Sequence, residues 1–295
     1  MANSIASSDI IISSAIEVLD DMLAPLGNFS VNVANEYAGR GTTIKVPLVD
    51  SKDSARVFAS TGNNAGYEAT SESDVSTKDI TVQEIIKPFR LSDNELYKSP
   101  VNLSNYIASN ANAFGLFIMN QVKTAIEQGT ADATKGAGSM DLATVKALVK
   151  ILDSSGIPVN DRHLVLSHVA HHKLLPDNQD IYGQNASVMQ SGRVGQLYGL
   201  QVHPTSILET GTGSKKCCAF ASGKNGIAIV NRLPETQGQE TLQKYETFTI
   251  PGLGMNVAYR EHFNTATGTL HGCFSTLFGA TIGDPNAIAW VQGGA

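Results

Sequence analysis

The chain has 295 residues, enough for one large domain or two ordinary ones, and its 42% hydrophobic content allows a sizeable core. Formal net charge is -6, charged residues make up only 16%, and no Lys/Arg cluster exceeds two adjacent residues. That weighs against a dedicated nucleic-acid grip, which needs several cations close together. No apolar run reaches the ~18 residues a membrane span needs, and the N-terminus lacks the basic region and apolar run of a secretory signal. Three cysteines, two of them adjacent, make no disulfide framework, so a reducing, cytosolic setting is expected. So low a charge load also leaves few like-charge repulsions when many copies pack together.

Residues 1–30 begin polar and then offer one short amphipathic segment. Ile12, Ile16, Leu19 and Leu23 share a helical face, Asp9 is a plausible cap, and Pro25 and Gly27 close the segment. Such an arm helix is marginal alone, so its apolar face must dock on something. If the chain is a subunit of a larger assembly, deleting 1–23 is expected to impair that assembly more than monomer folding.

Residues 40–90 read as β. Ile44, Val46 and Leu48 alternate over 42–49, and Ile80, Val82, Ile85 and Phe89 alternate over 79–89 with a break near Glu84. Between them 50–76 is polar, and Gly62-Asn63-Asn64 and Gly66 favour turns. Two strands returning alongside each other make a long finger, weakly stable by itself. Val57, Phe58 and Tyr67 are its apolar anchors, either clustered within the loop or contacting a neighbouring subunit.

The most regular pattern lies at 102–128. Ile107, Ala111, Phe114, Ile118, Val122 and Ala125 or Ile126 recur at helical spacing, with Asn102 as cap and Gly129 as terminator. This predicts a helix of about 39 Å at ~1.5 Å per residue, longer than the usual three or four turns. A second helix is expected over 141–154, with Leu142, Val145, Leu148 or Val149, and Leu152 on one side and Gly156 and Pro158 after it. Short elements follow: a strand at 163–167, a helix at 169–175, and strands at 199–203, 216–220 and 226–230. The strand-like segments 255–262, 269–278 and 287–291 are expected to return to the domain of the long helix.

No active site emerges. His168, His171 and His172 could converge on a helix face, but no carboxylate follows at zincin spacing, so surface or cap roles are favoured. His163 and His203 sit in apolar strand contexts. Gly211-Thr212-Gly213-Ser214-Lys215-Lys216 lacks the full phosphate-loop order and reads as a turn, with Lys215-Lys216 a solvated pair. Cys217 and Cys218 open a strand, where one side chain should face in and the other out. Gly252 and Gly254 shape a turn after Pro251. No residue is assigned to catalysis, to a cofactor or to a metal.

The order of elements resembles the major capsid protein of tailed double-stranded-DNA bacteriophages, the Hong Kong phage-type fold shared with encapsulins. Arg90-Leu91-Ser92-Asp93-Asn94-Glu95-Leu96 resembles the end of that family's extended loop entering its spine helix. Pro158-Val159-Asn160-Asp161-Arg162-His163-Leu164-Val165-Leu166-Ser167, with His171-His172-Lys173-Leu174-Leu175, resembles its strand-then-helix passage. Tyr198-Gly199-Leu200-Gln201-Val202 resembles the later strand of the axial domain, and Gly226-Ile227-Ala228-Ile229 resembles its central apolar strand. The resemblance implies an α+β fold with an N-terminal arm (1–39), an extended β loop (40–90), a peripheral domain with the spine helix (91–134 and 251–295) and an axial domain (135–250).

It further implies a structural, non-enzymatic chain that assembles with many copies of itself as hexamers and pentamers. The icosahedral shell would enclose double-stranded DNA by weak nonspecific contact. A separate scaffolding protein, a portal and possibly a decoration protein would be partners, and no membrane is involved. The location would be the virion, after assembly in the host bacterial cytoplasm. The assembly-contact candidates are Ile12, Ile16, Leu19, Leu23, Val57, Phe58 and Tyr67. An encapsulin-like compartment shell shares this architecture, and a β-rich carbohydrate-binding or hydrolytic protein is the alternative of another class.

Overall fold

A computed structural model describes residues 8–32, 43–49, 75–92, 103–175, 195–208, 216–234 and 244–293. The first half of the chain gives α1 (Ser8–Phe29), β1 (Ser30–Asn32), β2 (Thr43–Val49), β3 (Val75–Thr81), β4 (Gln83–Ser92) and α2 (Leu103–Glu127). Then come β5 (Ala133–Thr134), α3 (Leu142–Ser154), β6 (His163–Ser167), α4 (His168–Leu174), β7 (Gln196–Leu197), β8 (Leu200–Thr205) and β9 (Cys217–Ser222). The chain ends with β10 (Ile227–Arg232), β11 (Lys244–Ile250), β12 (Met255–Asn264), β13 (Thr269–Ile282) and β14 (Ile288–Gln292). β2 and β3 pair with each other in a two-stranded sheet, but most of the expected 79–89 strand lies beyond Val82 in β4, which pairs with β13 rather than with β2.

The described elements fall into two compact units. The first holds α1, most of α2 and a sheet of order β1-β10-β13-β12-β11, with β4 added antiparallel along β13. One face of this sheet is aromatic. The Phe274 ring lies 5.5 Å from Phe89, 5.7 Å from Tyr259, and 6.3 Å from both Phe114 and Phe248. Phe114 brings α2 onto this cluster, and every residue of the predicted α2 stripe is buried. Gly272 is required beneath it: a Cβ there would stand 2.4 Å from the Phe89 ring.

α1 packs in the same unit but differs from expectation. It continues through Pro25, which removes one helical N–H donor without ending the helix, and it begins at Ser8, so Asp9 lies in its first turn. Its buried stripe is Ile11, Ala15, Leu19, Leu23 and Leu26; Ile12 and Ile16 flank it, half-buried. Small residues explain the seam. A Cβ on Gly115 of α2 would sit 2.6 Å from Met22 Sδ and 3.2 Å from Leu19, so the two helices approach closely. Asp20 also accepts the Gly252 N–H at 2.7 Å, tying α1 to the turn between β11 and β12.

The second unit holds a mixed sheet of order β5-β14-β9-β6-β8-β7, in which β6–β8 and β14–β5 run parallel and the other pairs antiparallel. Val145, Leu148 and Leu152 of α3 pack on Leu164, Leu166, Leu200 and Val202 from β6 and β8. Arg162, buried, donates through Nε to Ile157 O at 3.0 Å and through a terminal nitrogen to Asp153 at 2.5 Å, holding the end of α3 to the start of β6. At the other end of α3, Asp141 caps by accepting the Thr144 N–H at 2.8 Å and the Thr144 hydroxyl at 2.6 Å.

Three sequence expectations are corrected here. Cys217 and Cys218 are both fully buried, because β9 is a central strand covered on both faces. Leu142 is exposed rather than core-facing, since it opens α3 on the flank of the buried Val145–Leu148–Leu152 stripe. The last strand does not return to the long helix: β14 pairs with β9 in the second unit, whereas β10 (226–230 in the sequence reading) joins the first sheet. β11 carries no strong alternating signal and goes unread in the sequence.

Two outcomes follow from this packing. Gly272→Ala must displace the Phe89 ring and is expected to lower unfolding free energy by about 1–3 kcal/mol, against about 3–5 kcal/mol for Phe274→Ala. Urea unfolding measures both, and Phe89→Leu should recover part of the Gly272→Ala loss; additive losses would contradict the contact. The Asp141 carboxyl is held down at about 2 from 3.8, first by the Thr144 hydroxyl, then by the Thr144 N–H and Lys135. Its folded value is depressed, so its contribution is present above the ordinary carboxylate range and lost as pH falls toward about 2. The melting-temperature gap between wild type and Asp141→Ala should therefore shrink from about pH 4 to about pH 2, whereas a constant gap would argue against the cap.

Candidate assembly surface

The residues that the sequence raised for chemistry do not come together among the described residues. No group of three or more His, Cys, Asp or Glu is positioned to hold a metal ion. His171 is buried in α4 while His168 and His172 are exposed, so the three do not converge. His163 Nδ1 and His203 Nε2 lie 3.1 Å apart on the parallel strands β6 and β8, and burial pushes both imidazoles below their ordinary value. They form a neutral structural pair. Burial raises the Cys218 thiol to about 11, the opposite of an activated nucleophile. Gly254 takes φ 65 in the turn after Pro251, where its N–H bonds Ile250 O at 2.8 Å.

What the second unit does present is a group of exposed apolar residues near the β7–β8 turn. Tyr198 and Gly199 form the two-residue turn between β7 and β8, with φ of 50 and 81 and Leu197 opposite Leu200. Both central residues therefore have positive φ, as a twisted two-residue hairpin requires. Tyrosine is a costly choice for that conformation, by about 1–2 kcal/mol. Its ring is nonetheless held outward at 43% exposure, with Lys146 Nζ 5.2 Å from the ring centroid. Leu142, 45% exposed, lies one turn before Lys146 on the same face of α3. Val159, 55% exposed, closes the patch: its Cγ1 would stand 2.9 Å from a Cβ on Gly199. Scattered exposed apolar residues are ordinary, but an aromatic held outward at a conformational cost marks this tip as a candidate contact surface.

The residues singled out from sequence fall differently. Leu19 and Leu23 are fully buried within the first unit, so removing 1–23 would also strip its core. Ile12 and Ile16 keep part of their surface accessible. Val57, Phe58 and Tyr67 lie outside the described residues, as do Asn102 and the 211–215 stretch. Sequence reasoning missed Tyr198, Leu142 and Val159. The available signal was Tyr198-Gly199 between Leu197 and Leu200, a short hairpin with a bulky residue where Asn or Asp is usual.

No family model matches the sequence, and no curated protein matches it. Solved structures do match in fold. The capsid of an empty GTA particle, computed with C5 symmetry, aligns at TM-score 0.57 and 17% identity over 92% of this chain and 90% of that one. A virus-like particle from Pyrococcus furiosus aligns at 0.56 and 12%, over 95% and 96%. The mature capsid of bacteriophage PhiM1 aligns at 0.55 and 14%, over 90% and 85%. At such identities the likeness is one of fold, and it runs through nearly the whole of each chain. The chain has the α+β capsid fold of the Hong Kong phage type.

Proposed function

We propose that this chain is the major capsid protein of a tailed phage, assembling as hexamers and pentamers into an icosahedral shell around double-stranded DNA. The observation that carries the reading is the whole-length fold likeness to capsid subunits, about nine-tenths of both chains in each case reported. On this reading α2 is the spine helix, the first unit corresponds to the peripheral domain and the second to the axial domain. Residues 1–39 form the arm, and β2 and β3 form the stem of the extended loop at 40–90. The chain's role is structural rather than catalytic, and its place is the virion. A scaffolding protein, a portal and a decoration protein are its proposed partners.

Assembly needs contacts that one chain can use in several near-equivalent positions. The Tyr198 patch suits this. It is apolar at the centre, carries a cation at Lys146 and stands on a turn rather than on a buried element. Ile12 and Ile16 on the open flank of α1, with Val57, Phe58 and Tyr67 in the loop, remain proposed contacts of the arm and finger. The high coverage of the Pyrococcus virus-like particle favours one further reading, a compartment shell of the same fold around protein cargo. Nuclease-protected DNA in purified particles supports the first reading; co-purifying protein cargo without DNA supports the second.

The double variant Leu142→Asp/Val159→Asp should shift sedimentation from particles to small oligomers while circular dichroism and thermal unfolding of the subunit stay close to wild type. Tyr198→Gly should even stabilise the turn while weakening assembly, because it relieves the positive-φ strain and removes the ring. Wild-type particle yield from both variants would remove the patch from the assembly surface.

A further inference from the structure

The first unit's sheet has a second face, opposite the aromatic one, where strand register assembles a row of nitrogen donors. His262 on β12 stands opposite His271 on β13, and His271 stands opposite Arg90 on β4. Directly paired residues share a face, so the three side chains form one line across three strands. The two imidazoles are stacked, 4.8 Å between centroids and 8° between planes. The Thr269 hydroxyl lies 3.0 Å from His271 Nε2 and orients that ring. Arg90 and His262 are exposed. The neighbouring register lines add Arg260, opposite Cys273 and Pro88 on one side, and the neutral Asn264, Thr269 and Ser92 on the other. Among the described residues the acid on this face of β4 is Glu84, 3.8 Å from Arg260. Glu261 points to the aromatic side, where it accepts the Tyr259 hydroxyl at 2.7 Å.

We infer that the Arg90–His271–His262 row is a contact for the phosphate backbone of nucleic acid, an inference that rests on the shell reading above. A guanidinium offers a planar pair of donors matched to phosphate oxygens, and imidazole N–H groups add further donors along the line. Two strand spacings make the row about 10 Å long. A single phosphate engages one end of it. A duplex, with a charge every ~1.7 Å of its axis, engages both ends at once. One permanent cation in the row gives weak, sequence-independent contact, which holds a packed duplex near the wall without fixing it.

The test uses the full-length protein, a short fluorescent duplex and anisotropy at about 50 mM salt, with inorganic phosphate as a competitor at matched ionic strength. Arg90→Gln should weaken duplex binding several-fold and lower the salt slope by about one, while His262→Gln/His271→Gln weakens it less. Arg90→Lys should keep the slope, and circular dichroism of each variant separates lost contact from lost fold. Variants that fold and bind duplex as wild type does would overturn the inference. So would abolition of duplex binding by inorganic phosphate at matched ionic strength, since the row would then be a site for the free anion. Sedimentation of the same variants reads assembly separately: shells that form normally but lose duplex affinity support the contact, and failure of this inference leaves the shell reading standing.

Discussion

The first unit depends on one packing event: the seating of α2 on the aromatic face of its sheet through Phe274. Four rings from β4, β11, β12 and α2 meet Phe274, and Gly272 gives Phe89 the room to lie across β13. The contact is built from residues remote in sequence, so it forms only when the strands are in register. It also decides the other face. Once Phe89, Tyr259 and Phe274 point toward the helix, Arg90, His271 and His262 must alternate to the opposite side.

α1 extends the same logic. Its Leu19 and Met22 meet Gly115 of α2 at close range, the stripe through Ala15, Leu19 and Leu23 is buried at home, and Ile12 and Ile16 lie on its flank. The second unit is held by different means. Its helix α3 is pinned at both ends by polar groups, Asp141 at the start and Arg162 at the finish, while leucines and valines fill the middle. That rigid frame lets a strained Tyr198 persist at a hairpin tip, where an unsupported turn would relax.

Local pattern made much of this legible. The stripe from Ile107 to Ile126 predicts α2 within a residue at each end, and Asp141, Val145, Leu148 and Leu152 place α3 equally well. What failed was non-local. Sheet membership of β10 and β14 depends on which partner each strand finds, and the two adjacent cysteines are both buried because β9 happens to be central. β11 went unread because only Phe248 and Ile250 of its seven residues are buried. Pro25 misled because an interior proline is tolerated when the flanking leucines, Leu23 and Leu26, are packed. Neither the Tyr198 patch nor the Arg90 row can be seen in sequence order, since each joins residues dozens to nearly two hundred positions apart.

The central claim is that this chain builds a closed shell. Electron microscopy of the intact purified chain, beside the lysate that produced it, tests this most directly. Closed particles of uniform diameter with five-fold vertices are the expected result. Only monomers or small open oligomers in both samples, with the subunit folded, would contradict it.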